Sequence, residues 1–283
     1  MANLVKKIKT TSGDAQIDYN ALANLPDLKN MFSNPNLLTN SDFRKLVNQR
    51  GLTTYAASDD WTYCIDRWRT KGLSVTVNDG SITVTNNGSS QGSIQQPIGY
   101  YFPTGKYTLS CKVVSCSGNV SMGATNTSNN PKLSVGVNSR TWDNVTIGSV
   151  AIALDANASV TLEWVKLEYG SVATPLVPRA YAEELALCQR YYEKRTVIFF
   201  PYNGEVPAKY YIAVNGDSHR VTKHREPSLS FSQFTDHNNI DVQAALDSSK
   251  TTQTKDYIRM ITLTNNCSEF LLRSTIEFDA EIY

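Results

Sequence analysis

Leu73-Ser74-Val75-Thr76-Val77, followed by Asn78-Asp79-Gly80 and then Ile82-Thr83-Val84, is the stretch whose reading decides the fold. Both flanking runs alternate apolar and polar side chains with period two. The three residues between them have the composition of a tight hairpin turn. The same texture spreads outward. Further strands are predicted over 106–114, 132–137, 144–153 and 159–167. They are separated by Asn86-Asn87-Gly88, Pro103-Thr104-Gly105, Ser117-Gly118-Asn119, Asn129-Asn130-Pro131 and Asp155-Ala156-Asn157. No helical period interrupts these strands, which argues against a parallel βα sheet. Their even spacing predicts an antiparallel sandwich of jelly-roll type.

Composition agrees. The 283 residues include 24 Asn, 27 Ser and 27 Thr beside 15 Tyr and only 4 Met, a balance that favours strands and turns over long helices. A net charge of +1 lacks the cationic field that sequence-independent nucleic-acid binding needs. No run of residues approaches the ~18 apolar positions of a membrane span. The opening MANLVKKIKTTSGD has lysines but no apolar centre, so a signal peptide is not expected. Cys64, Cys111, Cys116, Cys188 and Cys267 are odd in number and lack CxxC spacing. They read as reduced packing residues rather than as a disulfide framework or a zinc site.

Beyond the sandwich, one helix is predicted from Arg179 to Lys194, where Tyr181, Leu185, Cys188 and Tyr192 recur at helical spacing. Strands then return over 196–200, 208–214, 228–234, 257–263 and 270–282. The last of these alternates through Ile276, Phe278, Ala280 and Ile282, and the polar run 236–254 reads as a long loop. The fold class is therefore mainly β: a jelly-roll sandwich and a second small β domain, joined by one short helix. The expected division is 1–36, 37–170, 171–195 and 196–283. Residues 1–36 hold too few apolar side chains for a core and need docking onto trimer mates or a larger scaffold to be ordered.

Several motifs resemble a known family. Asn36-Leu37-Leu38-Thr39-Asn40-Ser41-Asp42-Phe43, Asn48-Gln49-Arg50-Gly51 and Tyr63-Cys64-Ile65-Asp66-Arg67-Trp68 are similar to the opening of a carbohydrate-binding-module-like domain found in bacteriophage fibre proteins. The stretch 165–175 resembles that domain's exit, and 184–193 the junction that follows. Arg225-Glu226-Pro227-Ser228-Leu229 and Phe278-Asp279-Ala280-Glu281-Ile282 resemble the fibre tip. The resemblance implies a homotrimeric virion structural protein, assembled in the bacterial host's cytoplasm and likened to tail and head fibres alike. Its N-terminal segment would be fixed to capsid, portal-neck or tail proteins. Residues 9–22 are similar to such attachment segments, with Val5, Ile8, Ile17, Tyr19 and Leu22 as the anchoring side chains. No catalytic role transfers with these motifs.

Chemistry is sparse. The sequence lacks GxSxG, GxxxxGK[ST], GxGxxG and HExxH, and no metal or cofactor is expected. His219, His224 and His237 read as surface or sheet-edge residues. Asp59-Asp60 and Glu183-Glu184 are adjacent and point different ways, unlike a glycosidase pair. A glycan-cleaving depolymerase or a decoration protein without receptor binding are the rival readings. Recognition of a host-surface glycan has better material, because sugars stack on aromatic faces flanked by amides, carboxylates and arginines. In the sandwich the candidates are Trp61, Trp142, Tyr100 and Tyr101, whereas Trp68 and Trp164 read as core. In the tip they are Tyr202, Tyr210, Arg220 and Arg225.

Overall fold

The computed structural model describes residues 7–10, 13–16, 33–99, 102–125, 127–128, 130–201, 208–214, 222–225, 227–236, 246–253, 258–267 and 272–281. A hairpin of β1 (Lys7–Thr10) and β2 (Gly13–Gln16) comes first. The sandwich follows with β3 (Thr54–Tyr55), β4 (Thr62–Tyr63), β5 (Arg69–Lys71), β6 (Ser74–Asn78), β7 (Ser81–Thr85) and β8 (Gly92–Pro97). It continues through β9 (Gly105–Ser117), β10 (Val120–Ala124), β11 (Gly136–Val145), β12 (Ser149–Leu154) and β13 (Ser159–Tyr169). Helix α1 (Tyr181–Gln189) leads to β14 (Tyr192–Pro201), β15 (Ala208–Val214), β16 (Ser228–Asp236), β17 (Leu246–Gln253), β18 (Ile258–Cys267) and β19 (Leu272–Asp279).

All pairings among the described residues are antiparallel. One sheet of the sandwich has the order β10-β12-β8-β5-β4 and the other β11-β9-β13-β7-β6-β3. The C-terminal strands form a third sheet, β16-β19-β14-β15-β18-β17. The opening hairpin pairs Ser74 with Thr85 through Asn78 with Ser81, and Gly80 takes the left-handed conformation (φ 76°) that closes it. Val75, Ile82, Val84, Leu109, Val113 and Leu162 from the six-stranded sheet meet Ile94, Met122, Val150, Ile152 and Leu154 from the five-stranded sheet in one core. Each such side chain, fully buried, contributes about 1.5–3 kcal/mol. Trp68 belongs to this core, edge-on to Phe43 at 5.6 Å, and its indole N–H donates to the Asn40 carbonyl at 2.8 Å.

The hydroxyl-rich composition goes to the outward faces. Thr83 and Thr161 hydroxyls lie 2.9 Å apart, Ser115 reaches Thr161 at 2.9 Å, and Thr85 and Ser159 meet at 3.2 Å. These cross-strand pairs satisfy polar groups without disturbing the pleat. Beneath the sandwich, the fully buried Lys166 ammonium ties together two distant segments. It donates to Ser33 Oγ at 3.0 Å, Thr174 Oγ1 at 2.6 Å and the Pro175 carbonyl at 3.0 Å, with Glu168 at 3.2 Å as counter-ion. Burial pushes its pKa down, and the Glu168 carboxylate opposes that shift.

Several elements depart from the sequence reading, each for a tertiary reason. The strand expected at 132–137 starts only at Gly136 and runs on to Val145 as β11, and the one expected at 144–153 is divided between the end of β11 and β12 because the chain crosses from one sheet to the other at Thr146-Ile147-Gly148. Strand β8 was not anticipated; its apolar content is little more than Ile94. Trp164 is partly exposed rather than core, since irregular pairing with β9 between Leu162 and Trp164 breaks the alternation. The helix ends nine residues after it begins, and Tyr192, placed on its seam, instead opens β14 opposite Asp279. Tyr181, the first seam residue, is exposed. The run 236–254 contains edge strand β17 within its polar sequence, since an edge needs backbone pairing more than apolar side chains. Cys64, Cys111, Cys116 and Cys188 are free thiols.

The third sheet meets the sandwich through buried charge. Arg67, held at a left-handed φ of 70°, donates Nη1 to Glu281 at 2.6 Å and Nη2 to the Pro97 carbonyl at 2.6 Å, with Tyr191 stacked 3.5 Å from its guanidinium carbon. Arg50 lies 3.2 Å from Asp66, 3.8 Å from Glu281 and 3.8 Å from the centre of the Tyr192 ring. Gln49 Nε2 bridges the Asp66 carboxylate and the Tyr192 carbonyl, both at 2.7 Å. Burial pushes the Asp66 carboxyl up to about 6, although Arg50 and Gln49 favour its charged form.

Removing one partner of such a pair strands the other. Glu281→Ala should lower unfolding stability by roughly 3–5 kcal/mol in chemical denaturation. The Asp66 carboxyl sits above its ordinary value in the folded chain, so its contribution is fully present at low pH and lost as pH rises through about 6. Relative to Asp66→Asn, the natural chain should therefore gain roughly 1–3 kcal/mol between about pH 7 and pH 4, read from paired denaturation curves.

Candidate functional site

The outward face of the five-stranded sheet carries a hydrogen-bonded row of polar side chains from β5 to the end of β10, with the buried Tyr63 at its β4 edge. Register places Tyr63, Arg69, Gln95, Ala151 and Gly123 side by side across β4, β5, β8, β12 and β10. Alternation does the sorting: Val150, Ile152 and Leu154 turn into the core, which leaves Ser149, Ala151 and Ala153 outward. Arg69 donates to Gln95 Oε1 at 3.1 and 2.9 Å, Gln95 Nε2 donates to Ser149 Oγ at 2.6 Å, and Thr125 Oγ1 lies 2.7 Å from Ser149 Oγ. At one end the Arg69 guanidinium covers the partly exposed Trp61 ring at 4.7 Å.

At the other end the row opens into a groove of about 300 Å³ lined by Gln95, Ser121, Ser149, Thr125 and Asn130, with Gly123, Ala151 and Ala153 as its small residues. A Cβ on Gly123 would come within 2.5 Å of the Asn130 side-chain nitrogen, so any larger residue there would displace that exposed side chain. A surface of amides and hydroxyls beside an arginine and an indole ring has the donors, acceptors and apolar plate that a sugar ring needs. It offers no acid–base pair, and no cluster of metal-ligating side chains exists among the described residues.

A second open hollow, about 690 Å³, lies at the sandwich end between Ala56–Asp59, Lys71–Ser74 and Asn86–Gln91. Hydroxyls and amides line it, and no aromatic ring does.

Of the residues singled out from sequence, Trp61 belongs to the outward row. Trp142 does not: it is 7% exposed and part of the core, because β11 turns it inward opposite Tyr107, so its candidacy for sugar contact is withdrawn. Arg225 is exposed, and Tyr210 lies on β15 opposite Thr262. Ile8 lies on β1 opposite Ala15. Tyr100, Tyr101, Tyr202, Arg220, Val5, Ile17, Tyr19 and Leu22 lie outside the described residues. His224 is not a sheet-edge residue; it is partly buried and stacked on Tyr191 at 5.0 Å. The residues missed were Gln95, Ser149 and Thr125. Their signal was the strict small–large alternation of Ser149-Val150-Ala151-Ile152-Ala153-Leu154, which marks a flat, uncrowded outer face.

No protein-family model matches the chain, and no curated protein matches it in sequence. Among solved structures it is similar to a mutant of a family 29 carbohydrate-binding module studied for ligand recognition. That likeness covers 44% of this chain and 100% of the module, at 10% identity and a TM-score of 0.28. At that level it carries no argument about a ligand. The mainly β, antiparallel character of the chain rests on its own sheets.

The burial of Trp142 has a direct consequence. Trp142→Ala should cost roughly 3–5 kcal/mol of stability through the cavity it leaves. Trp142→Phe should cost far less, since the indole N–H is buried with no hydrogen-bond partner among the described residues. Thermal unfolding of the two variants checks the difference.

Proposed function

We propose that this chain is a carbohydrate-binding protein that reads a glycan along the outward face of the five-stranded sheet. The observation that carries the reading is the line from Trp61 and Arg69 through Gln95 and Ser149 to Thr125. From β4 to β10 it crosses four strand spacings, about 19 Å at the usual ~4.8 Å per strand, which is the reach of an oligosaccharide rather than one sugar. Neutral amides and hydroxyls favour a ligand dense in hydroxyl groups, and the small floor residues leave room for a ring.

The setting proposed for this binding is a bacteriophage fibre: a homotrimer attached to the particle through residues 1–36 and meeting a host-surface glycan. Sequence motifs alone support that setting. The binding role is proposed to be non-enzymatic, since the row holds hydrogen-bonding groups without a facing pair of carboxylates.

Glycan-array screening followed by calorimetry tests the reading. Trp61→Ala and Gln95→Leu should each weaken binding of the captured glycan at least about tenfold, or ~1.4 kcal/mol, with circular dichroism unchanged. Undiminished affinity in both variants, or no glycan captured, would overturn it. Release of reducing ends from the bound polysaccharide would overturn the non-enzymatic part.

A further inference from the structure

Register across three strands makes the groove at the end of the sheet-face row a small grid. Gln95, Ala151 and Gly123 stand side by side on β8, β12 and β10, and Ala153 and Ser121 are neighbours in the next row. Ala151, Ala153 and Gly123 form the floor, an apolar tile of about 7 Å along the strands and about 5 Å across them. The polar groups around it are amides and hydroxyls, those of Gln95, Ser149, Thr125, Asn130 and Ser121. No charged side chain lines the groove among the described residues.

The rim groups differ in how far the protein itself uses them. Gln95 is engaged at both ends, accepting from Arg69 at 2.9 and 3.1 Å and donating to Ser149 at 2.6 Å. Asn130 is held at one end only. Its Oδ1 accepts from the Thr127 hydroxyl at 3.1 Å, and its Nδ2 group has no acceptor among the described residues. That nitrogen overhangs the floor, 2.5 Å from where a Cβ on Gly123 would stand. The Ser121 hydroxyl, beside Ala153, likewise has no partner among the described residues. When Ser149 donates to Thr125 Oγ1, 2.7 Å away, the Thr125 O–H keeps only a long 3.4 Å contact with the Ser149 carbonyl. Three hydrogen-bonding groups therefore border a methyl floor with capacity to spare.

These properties select among the substituents that a sugar carries. A carboxylate or an ammonium would enter a groove with no counter-charge, and burying either unpaired is costly. A ring hydroxyl over the alanine floor would give up water with no partner beneath it. An acetamido group brings one methyl for the floor, one carbonyl oxygen for the Asn130 Nδ2 group, and one N–H for a hydroxyl of the rim. Its apolar end is compact enough for the alanine tile, whereas a flat ring face stacks best on an aromatic plate such as Trp61. The volume of about 300 Å³ stands at the lower end of the roughly 300–1,000 Å³ of small-molecule clefts, which is space for one sugar residue.

We infer that the groove is the subsite for an N-acetylated amino sugar, its methyl on Ala151 and Ala153 and its carbonyl oxygen accepting from Asn130. The inference rests on the sheet-face reading above and names the class of glycan that the face selects. That class is a neutral glycan bearing acetamido sugars.

The full chain would be titrated with N-acetylglucosamine, N-acetylgalactosamine and N-acetylmannosamine, with the methyl signals of Ala151 and Ala153 followed by NMR. Glucose, galactose, mannose and glucosamine are the comparisons. At least one N-acetyl sugar should shift both methyl signals and bind at least about tenfold tighter than its hydroxyl counterpart and than glucosamine. Ala151→Val fills the floor with a residue that strands accommodate, and Asn130→Asp keeps the side-chain shape while removing the donor. Each should weaken that binding about tenfold or more, with circular dichroism unchanged. Equal affinity for N-acetyl and hydroxyl sugars, tighter binding of glucosamine, or undiminished affinity in both variants would each overturn the inference. The two readings fail separately. If the captured glycan depends on Trp61 and Gln95 but carries no acetamido group, this inference falls and the sheet-face reading stands. If N-acetyl sugars shift the alanine methyls while Trp61→Ala changes nothing in glycan binding, the extended row falls and the groove stands as a one-sugar site.

Discussion

The buried ion pair between Arg67 and Glu281 is the constraint on which the arrangement of this protein turns. It joins a residue of the sandwich to one that follows the last strand, and both side chains are withdrawn from water. Charges so placed are tolerated only when their remaining hydrogen-bonding capacity is met. The Pro97 carbonyl and the Arg67 backbone N–H supply much of that here, and the Tyr191 ring stacks on the guanidinium. Around the pair, Arg50, Asp66 and Gln49 extend the same logic to Tyr192. Two apolar faces could slide past one another at small cost; a set of mutually satisfied charges has one good register. The junction therefore fixes how α1 and β14 leave the sandwich.

The same division between apolar interior and polar exterior shapes the sandwich. Its core is ordinary in composition, with Leu, Ile and Val from both sheets meeting face to face. Its outward faces differ from each other. The six-stranded sheet uses Thr and Ser to satisfy one another across strands, which leaves little for a ligand. The five-stranded sheet strings Arg69, Gln95, Ser149 and Thr125 into a row beside a groove floored by small residues. Hydrogen bonds along a row of this kind hold the side chains in place before any ligand arrives, which lowers the ordering cost of binding.

Much of the fold was legible in the chain itself. The alternation in 73–77 and 82–84 appears as β6 and β7 with the turn where the glycine stands. Trp68 was readable as core, Ile276 and Phe278 do lie on the buried side of the last strand, and Ala280 just past its end is buried as well. Such readings succeed because period two is a local property, written by neighbours in sequence. They fail where a partner far along the chain intervenes. Irregular pairing with β9 turns Trp164 outward, and strand pairing with Asp279 takes Tyr192 out of the helix. Trp142 illustrates the limit for the site: it stands in a polar stretch beside Arg140 and Asp143, yet the face of β11 on which it falls is the covered one.

The sequence by itself therefore determined a mainly β, antiparallel chain of nearly balanced charge with hydroxyls and amides to spare. Alternation and turn chemistry act over a few residues, so one dimension suffices to read them. Only the tertiary structure decided which polar groups meet. Gln95 and Ser149 are far apart in the chain and touch because β8 and β12 are neighbours, and Arg67 finds Glu281 across more than two hundred residues. Hydrogen bonds and ion pairs reach only about 3–4 Å, so their partners are set by which surfaces the hydrophobic core brings together.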